Sequence, residues 1–170
     1  HWSGDKTLWN RKLNQVELIG HATVNQVGET MIADYILLDL NNRTLTAKGN
    51  CHYVTDDLII DCEEMFIHLD SRTGTIMGGR VTNNSFLLVG DRINKLGERK
   101  FQTHKAQYTT CIDCPASWSF YSDDVDLEVE GYAHFSNVVA KIKDAPVLWS
   151  PYLIVPVKSE RQTGFLFPRF

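Results

Sequence analysis

The sequence predicts an all-β chain, an open antiparallel β-sandwich with a long apolar interior, and three observations predict it. Gly20, Gly49 and Gly78 stand 29 residues apart and the residues between them correspond, which makes an internal repeat. Met31-Ile32-Ala33-Asp34 falls on Ile60-Asp61-Cys62-Glu63; Ile36, Leu38 and Leu40 fall on Met65, Ile67 and Leu69; Arg43-Thr44 falls on Arg72-Thr73. Each copy alternates apolar and polar residues, as in Met65-Phe66-Ile67-His68-Leu69-Asp70, the period of a strand with one buried face. No copy has a helical period. Such a unit cannot close its own core, so neighbouring copies must stack edge to edge and bury their apolar rows between two facing sheets.

The phase of each copy adds detail. Leu58, Ile60 and Cys62 share a face with Met65, Ile67 and Leu69 only if one residue is absorbed near Glu63-Glu64, and Asp34-Tyr35 holds the same place one copy earlier. A bulge or bend is expected at both. Before the repeat, His1 to Asn10 reads as a ragged start or a strand held by Trp2 and Trp9. Val16 to Ile19 then leads through Gly20 into His21 to Asn25, and Val27-Gly28-Glu29 turns into the first full copy.

After Gly78-Gly79 a third copy runs through Arg80-Val81-Thr82 and Phe86 to Val89, and Gly90 and Gly97 suggest a bent hairpin ending in Lys105 to Thr109. Cys111 to Ser117 reads as a loop and Trp118 to Tyr121 as a restarted strand. Val125 to Glu130 alternates strictly, Gly131 breaks it, and Tyr132 to Lys143 supplies another strand or pair. From Ala145 to Val157 the chain is almost wholly apolar but carries Pro146, Pro151 and Pro156, which places it on an edge or crossing between layers. The apolar end, Gly164 to Phe170, reads as a chain cut where another structure begins.

A chain of 170 residues, 43% hydrophobic and 22% charged, supports one domain with a real core. A formal charge of −4 gives no general attraction to nucleic acid. Arg92, Lys95, Arg99, Lys100 and Lys105 form a local cationic run that reads as a solvated hairpin. No window approaches the roughly 20 apolar residues of a membrane helix, and the start lacks the regions of a signal peptide.

Chemistry is weakly signalled. Cys111-Ile112-Asp113-Cys114 has redox spacing, but its flanks read as strands, with no helix to lower a thiol pKa, so a structural disulfide is the better reading. Cys51 and Cys62 flank the turn signal Thr55-Asp56-Asp57 and would face each other across a two-residue turn. His52, His68, His104 and His134 stand singly rather than at zinc spacing. The pairs Asp56-Asp57, Glu63-Glu64 and Asp123-Asp124 point to opposite strand faces and form no catalytic dyad. No catalytic constellation, metal site or cofactor motif is expected. A carbohydrate-active β-sandwich is the enzymatic alternative, and it would need facing carboxylates.

What remains is the interior. The rows Met31, Ala33, Ile36, Leu38, Leu40, Ile60, Met65, Ile67, Leu69, Phe86 and Leu88 either mesh into a solid core or, if the sheets splay, line a slot for apolar chains. Alternation is compatible with both.

Gly49-Asn50-Cys51-His52-Tyr53 through Leu58 to Glu64 resembles the repeat of the OstA family of lipopolysaccharide-transport proteins. Tyr108-Thr109-Thr110-Cys111 with Pro115 and Trp118, Pro146 to Tyr152, and Pro156-Val157 with Arg161 to Pro168 extend the resemblance to the periplasmic domain of an outer-membrane member. The resemblance implies a β-jellyroll over residues 1–157, then a linker, 158–170, into a transmembrane barrel. It implies no chemistry. Its groove would receive lipopolysaccharide from a periplasmic bridge protein, LptA, and pass the lipid A acyl chains toward the chain's own C-terminal barrel and the plug lipoprotein LptE. The interior is therefore expected to be an open slot lined by the rows above, with the bridge adding a strand to an exposed edge at Val16, Glu17, Leu18 and Ile19. Cys111 matches the family's cysteine, while Cys51, Cys62 and Cys114 are further disulfide candidates. A free-standing bridge protein of the same fold is the nearest alternative, set apart by the proline-rich stretch and the tail.

Overall fold

Alternation sustained over ten or so residues, with left-handed residues at the turns, gives long strands joined by short connections. The computed structural model describes residues 1–56, 58–83, 86–97, 99–110, 118–143 and 145–157. The strands are β1 (Trp2–Ser3), β2 (Lys6–Asn10), β3 (Gln15–Gln26), β4 (Glu29–Asp39), β5 (Thr44–Thr55) and β6 (Ile59–His68). They continue as β7 (Gly74–Thr82), β8 (Leu87–Lys95), β9 (Lys100–Thr109), β10 (Trp118–Glu128), β11 (Tyr132–Ile142) and β12 (Ala145–Pro156). All lie in one 12-stranded antiparallel sheet: β1 and β2 both pair β3, and each later strand pairs the next as far as β12. There is no helix among the described residues.

The sheet is creased. Pairing skips at Ile19/Ala22 between β3 and β4, at Ile32/Tyr35 between β4 and β5, and at Lys48/Cys51 between β5 and β6. The interruptions continue across the sheet to Ser122/Asp124 between β10 and its two neighbours. Left-handed residues mark this line, among them Gly20, His21, Gly49, Asn50, Gly78, Lys105 and Asn137. The bends expected at Asp34-Tyr35 and Glu63-Glu64 lie on it, and an extra residue there returns the apolar row to the same side.

The crease divides every long strand into two halves and the sheet into two leaves. On the first leaf Leu18, Ile36, Ala47 and Met65 are buried; on the second, so are Ala22, Ala33, Ile60 and Leu88. No second layer exists among the described residues to cover either leaf, and all these side chains join one apolar cluster. The leaves therefore cover each other, and the sheet folds along its crease into an open sandwich. Tyr108 of the second leaf touches Phe135 of the first, with ring centroids 5.0 Å apart, although they stand two strands apart in the sheet.

One expectation is corrected here. Val16, Glu17, Leu18 and Ile19 do not form an edge: they pair Leu38 to Tyr35 on one side and Trp9 to Lys6 on the other. Of the two readings of the N-terminal stretch, a ragged start or a strand, the strand holds over Lys6–Asn10, and it covers them. The free edge at this end lies on β1 and β2, whose residues are almost all exposed. At the other end β12 is, among the described residues, an edge strand, which its prolines suit. It leaves Val147, Leu148, Trp149, Tyr152 and Ile154 exposed, on both of its faces where the three consecutive residues 147–149 lie.

Candidate functional site

The interior rows converge. Met31, Ala33, Ile36, Leu38, Ile60, Met65, Ile67, Phe86 and Leu88 are all buried in the one cluster, with Leu40 and Leu69 packed against it. Their depth differs. Ile36, Ile60, Phe86 and Leu88 expose no surface at all, so no water-sized gap reaches them. The expected open trough along the whole interior is not present: midway the leaves mesh, because apolar rows with nothing between them close up.

Toward the C-terminal side aromatic rings fill the angle between the leaves. Phe86 stacks on Tyr108 at 5.9 Å, and Phe135 meets both Tyr108 and Phe120. Burial raises the Tyr108 hydroxyl to about 12. That phenol stays neutral in its apolar surroundings.

The interior does open at the rim opposite the crease. A narrow slot of about 30 Å³ runs between Met31, Val24 and Tyr53 of the second leaf and Leu45, Ile67 and Leu69 of the first. Met31, Ile67 and Leu69 are the predicted residues that line it. Beside it lies a more polar vestibule of about 240 Å³, bounded by Val27, Gly28, Glu29, Tyr53 and Asp56 on one leaf and Arg72, Lys95 and Arg99 on the other.

Between slot and vestibule an ion pair spans the leaves: Arg72 Nη1 donates to Glu29 Oε1, and both side chains are largely shielded from solvent. Tyr53 lies against this pair, and burial, reinforced by Glu29, raises its hydroxyl to about 12. Lys95, read from sequence as solvated, is buried instead. Its ammonium donates to the carbonyls of Arg72 (2.8 Å) and Gly97 (2.6 Å) and lies 5.9 Å from the Phe101 ring centre.

Sequence reading missed Glu29, Arg72 and Lys95. The repeat equates Arg43 with Arg72, and both take a left-handed conformation. However, Arg43 pairs with Asp70 on the surface while Arg72 reaches across the mouth.

Cys51 and Cys62 face each other in the β5–β6 register, as predicted, but they are buried free thiols and not the disulfide for which they were candidates. Their mutual hydrogen bond and burial push the Cys62 thiol upward. Cys111 and Cys114 lie outside the described residues, as do positions 158–170. Among the described residues no three His, Cys, Asp or Glu side chains gather as a metal site.

Fold and site together define an antiparallel β-protein built to keep a continuous apolar face between two leaves hinged on a crease, with a charged mouth. Comparison gives this class a particular likeness. The chain is 27% identical over 160 residues to LPS-assembly protein LptD of Shewanella frigidimarina, covering 92% of the chain and 21% of that protein. It is 28% identical over 166 residues to LptD of Nitrosomonas europaea, and 28% over 139 residues to LptD of Aliivibrio fischeri. The resemblance read from the repeat is thus to proteins of lipopolysaccharide assembly, and the chain spans about a fifth of the length of the first two relatives. No family model matches. Among solved structures, LptH of Pseudomonas aeruginosa, described as the LptA homologous periplasmic component of a lipopolysaccharide transport device, aligns with a TM-score of 0.33 at 11% identity. That alignment covers 75% of this chain and 74% of LptH.

Proposed function

We propose that residues 1–157 are the periplasmic β-jellyroll of an outer-membrane lipopolysaccharide-assembly protein of the LptD kind. It takes lipopolysaccharide from a periplasmic bridge and passes the lipid A acyl chains between its leaves, without chemistry, toward a barrel that begins beyond the linker at 158–170. The observation that carries this reading is the single apolar cluster shared by both leaves and open at one rim, in a chain similar along nine-tenths of its length to proteins named for lipopolysaccharide assembly.

The closed midsection fits passage if the leaves part as a chain arrives. Apolar contacts between leaves are then exchanged for contacts with methylene groups, a near-even trade in dispersion and hydration. Burying a methylene from water is worth ~0.8 kcal/mol. Several full acyl chains would exceed the ceiling of roughly −20 kcal/mol for noncovalent binding, so the lipid is handed between grooves of similar affinity. The bridge, an LptA-type protein, adds its strand on the free side of β2, and β12 turns toward the barrel and its plug lipoprotein, LptE.

A photo-crosslinker at Ile67 or Leu38, which face in, captures lipopolysaccharide, while one at His68 or Asp39, which face out, does not. Equal capture at both pairs refutes the passage. Lipid extraction and mass spectrometry of the purified chain identify the captured species.

A further inference from the structure

The least covered apolar part of the molecule is β12. Its 12 residues carry no charge, and most of their side chains are exposed. A long edge strand is ordinarily guarded by charged side chains, and this one is not. Two side-chain rows run out to it across the second leaf. The inward row of Tyr108, Phe120 and Ala140 ends on Leu148, and the outward row of Gln107, Tyr121 and Val139 ends on Trp149. Leu148 is 66% exposed and Trp149 61%. Tyr152 and Ile154, opposite Ser136 and His134, continue the exposed outward side on the first leaf.

The chemistry of the strand selects its cover. Trp149 Nε1 donates to Asn137 Oδ1 at 2.6 Å, and the Tyr152 hydroxyl shares a hydrogen bond of 2.6 Å with His134 Nδ1. Both partners belong to β11, so each polar tip keeps a partner when water is withdrawn, and desolvating the rings costs little. Pro146, Pro151 and Pro156 recur along the same strand, and a proline in a ladder turns its nitrogen to the open side. Val157 N donates to Gly131 O at 2.8 Å, which puts Pro156, one residue back, in that orientation. A further strand laid along this edge would therefore find donors missing at every fifth residue.

The cover is thus apolar, needs no backbone pairing and reaches both faces at residues 147–149. A folded partner packs on one face of an edge, whereas lipid surrounds both. The carbonyls of the open edge still need donors, which headgroups and their water supply and hydrocarbon does not. Rings with an apolar body and a polar tip belong at that same level.

We propose that β12 is a membrane-surface strand: it lies edge-on in the headgroup layer of a phospholipid bilayer, with Val147, Leu148, Trp149 and Ile154 reaching the acyl boundary. It holds this end of the sandwich against the membrane. The contact is with the bilayer itself and is independent of any passage of acyl chains between the leaves.

The test floats the chain with vesicles of phosphatidylcholine, which carry no net charge, at about 0.15 M salt, where surface charges are screened. It also follows Trp149 alone, with Trp2, Trp9 and Trp118 changed to phenylalanine. The chain floats, and Trp149 emission shifts to the blue and is quenched by brominated acyl chains. Trp149→Ser combined with Ile154→Ser, both exposed and outside the apolar cluster, lowers the partition coefficient about ten-fold, as losing two apolar side chains from the boundary demands. Leu13→Ser, an exposed leucine at the opposite end of the sheet, leaves it unchanged. A chain that stays in the aqueous fraction overturns the proposal. Flotation undiminished in the double variant also overturns it, and places the lipid between the leaves. A dimer of the parent chain that the double variant abolishes, with neither chain floating, makes a second copy the cover instead.

Discussion

The carboxylate of Asp34 sits over the backbone of Gly49, so close that a methyl group there would meet its Oδ2 at 2.6 Å. Asn50, the next residue, donates to the same carboxylate at 3.1 Å. The arrangement recurs one repeat earlier, where Asp5 covers Gly20 and accepts from His21, and one repeat later, where Glu63 covers Gly78. Each is an acid, on the neighbouring strand or, for Asp5, in the bend between β1 and β2, that closes a left-handed step at the crease where ladder bonds are lost. The crease is thus a set of side-chain locks, and it is the hinge on which the leaves would part.

Replacing Gly49 by alanine attacks such a lock twice. An L-residue at φ +77° costs ~1–2 kcal/mol, and the new methyl drives Asp34 aside. We expect Gly49→Ala to lose ~1–3 kcal/mol in urea unfolding, and to lose less in an Asp34→Ala background, where only the backbone cost remains. An equal loss in both backgrounds would show that the carboxylate yields freely.

The N-terminal lock should respond to pH. The hydrogen bond and charge of Asp5 raise the His21 pKa above 6.5. A raised folded-state value means the contact is at full strength below the unfolded pKa and fades as pH climbs through the folded one. Docking of β1 and β2 onto β3 should therefore loosen as pH rises past that range. Hydrogen exchange in Lys6–Asn10, corrected for intrinsic rates, reads it, and His21→Gln should flatten the pH dependence. A profile identical in the variant would assign the arm's stability to its backbone pairing alone.

The pattern of the locks explains what could be read beforehand. Strand identity, bends and inward rows followed from alternation and the 29-residue spacing, both local properties. The same spacing carried backward finds Asp5 ahead of Asp34, and Asn14 ahead of Arg43 and Arg72, three residues that share a left-handed turn conformation. Carried that far, it would have shown a strand outside Val16 to Ile19. The mouth was not legible, because whether Arg72 points outward like Arg43 or across to Glu29 depends on how far the leaves close. Alternation says nothing of that angle.

Cys51 and Cys62 offer a check on the second leaf. Both thiols are nearly inaccessible, and the shared hydrogen bond keeps Cys62 protonated. In a background with Cys111 and Cys114 changed to serine, an aqueous thiol reagent should find about no reactive groups in the folded chain and both in denaturant. Reaction of either before unfolding would mean that the crease opens on its own. Absence of both thiols in denaturant without reductant would mean that the pair is oxidised.

Phe135 tests whether the leaves move at all. Its ring fills the angle between them against Tyr108 and Phe120, and truncating a buried phenylalanine costs ~3–5 kcal/mol, the higher end where the surroundings cannot close in. Leaves hinged on a crease can close. Phe135→Ala should therefore fall near the lower end, and benzene, which fills and stabilises rigid apolar cavities, should leave the variant's melting temperature unchanged. A melting temperature that rises with benzene in Phe135→Ala but not in the parent chain would reveal a fixed cavity between rigid leaves. Rigid leaves could not part to admit an acyl chain through the closed midsection, and the lipid would have to stay at the rim slot between Met31 and Ile67.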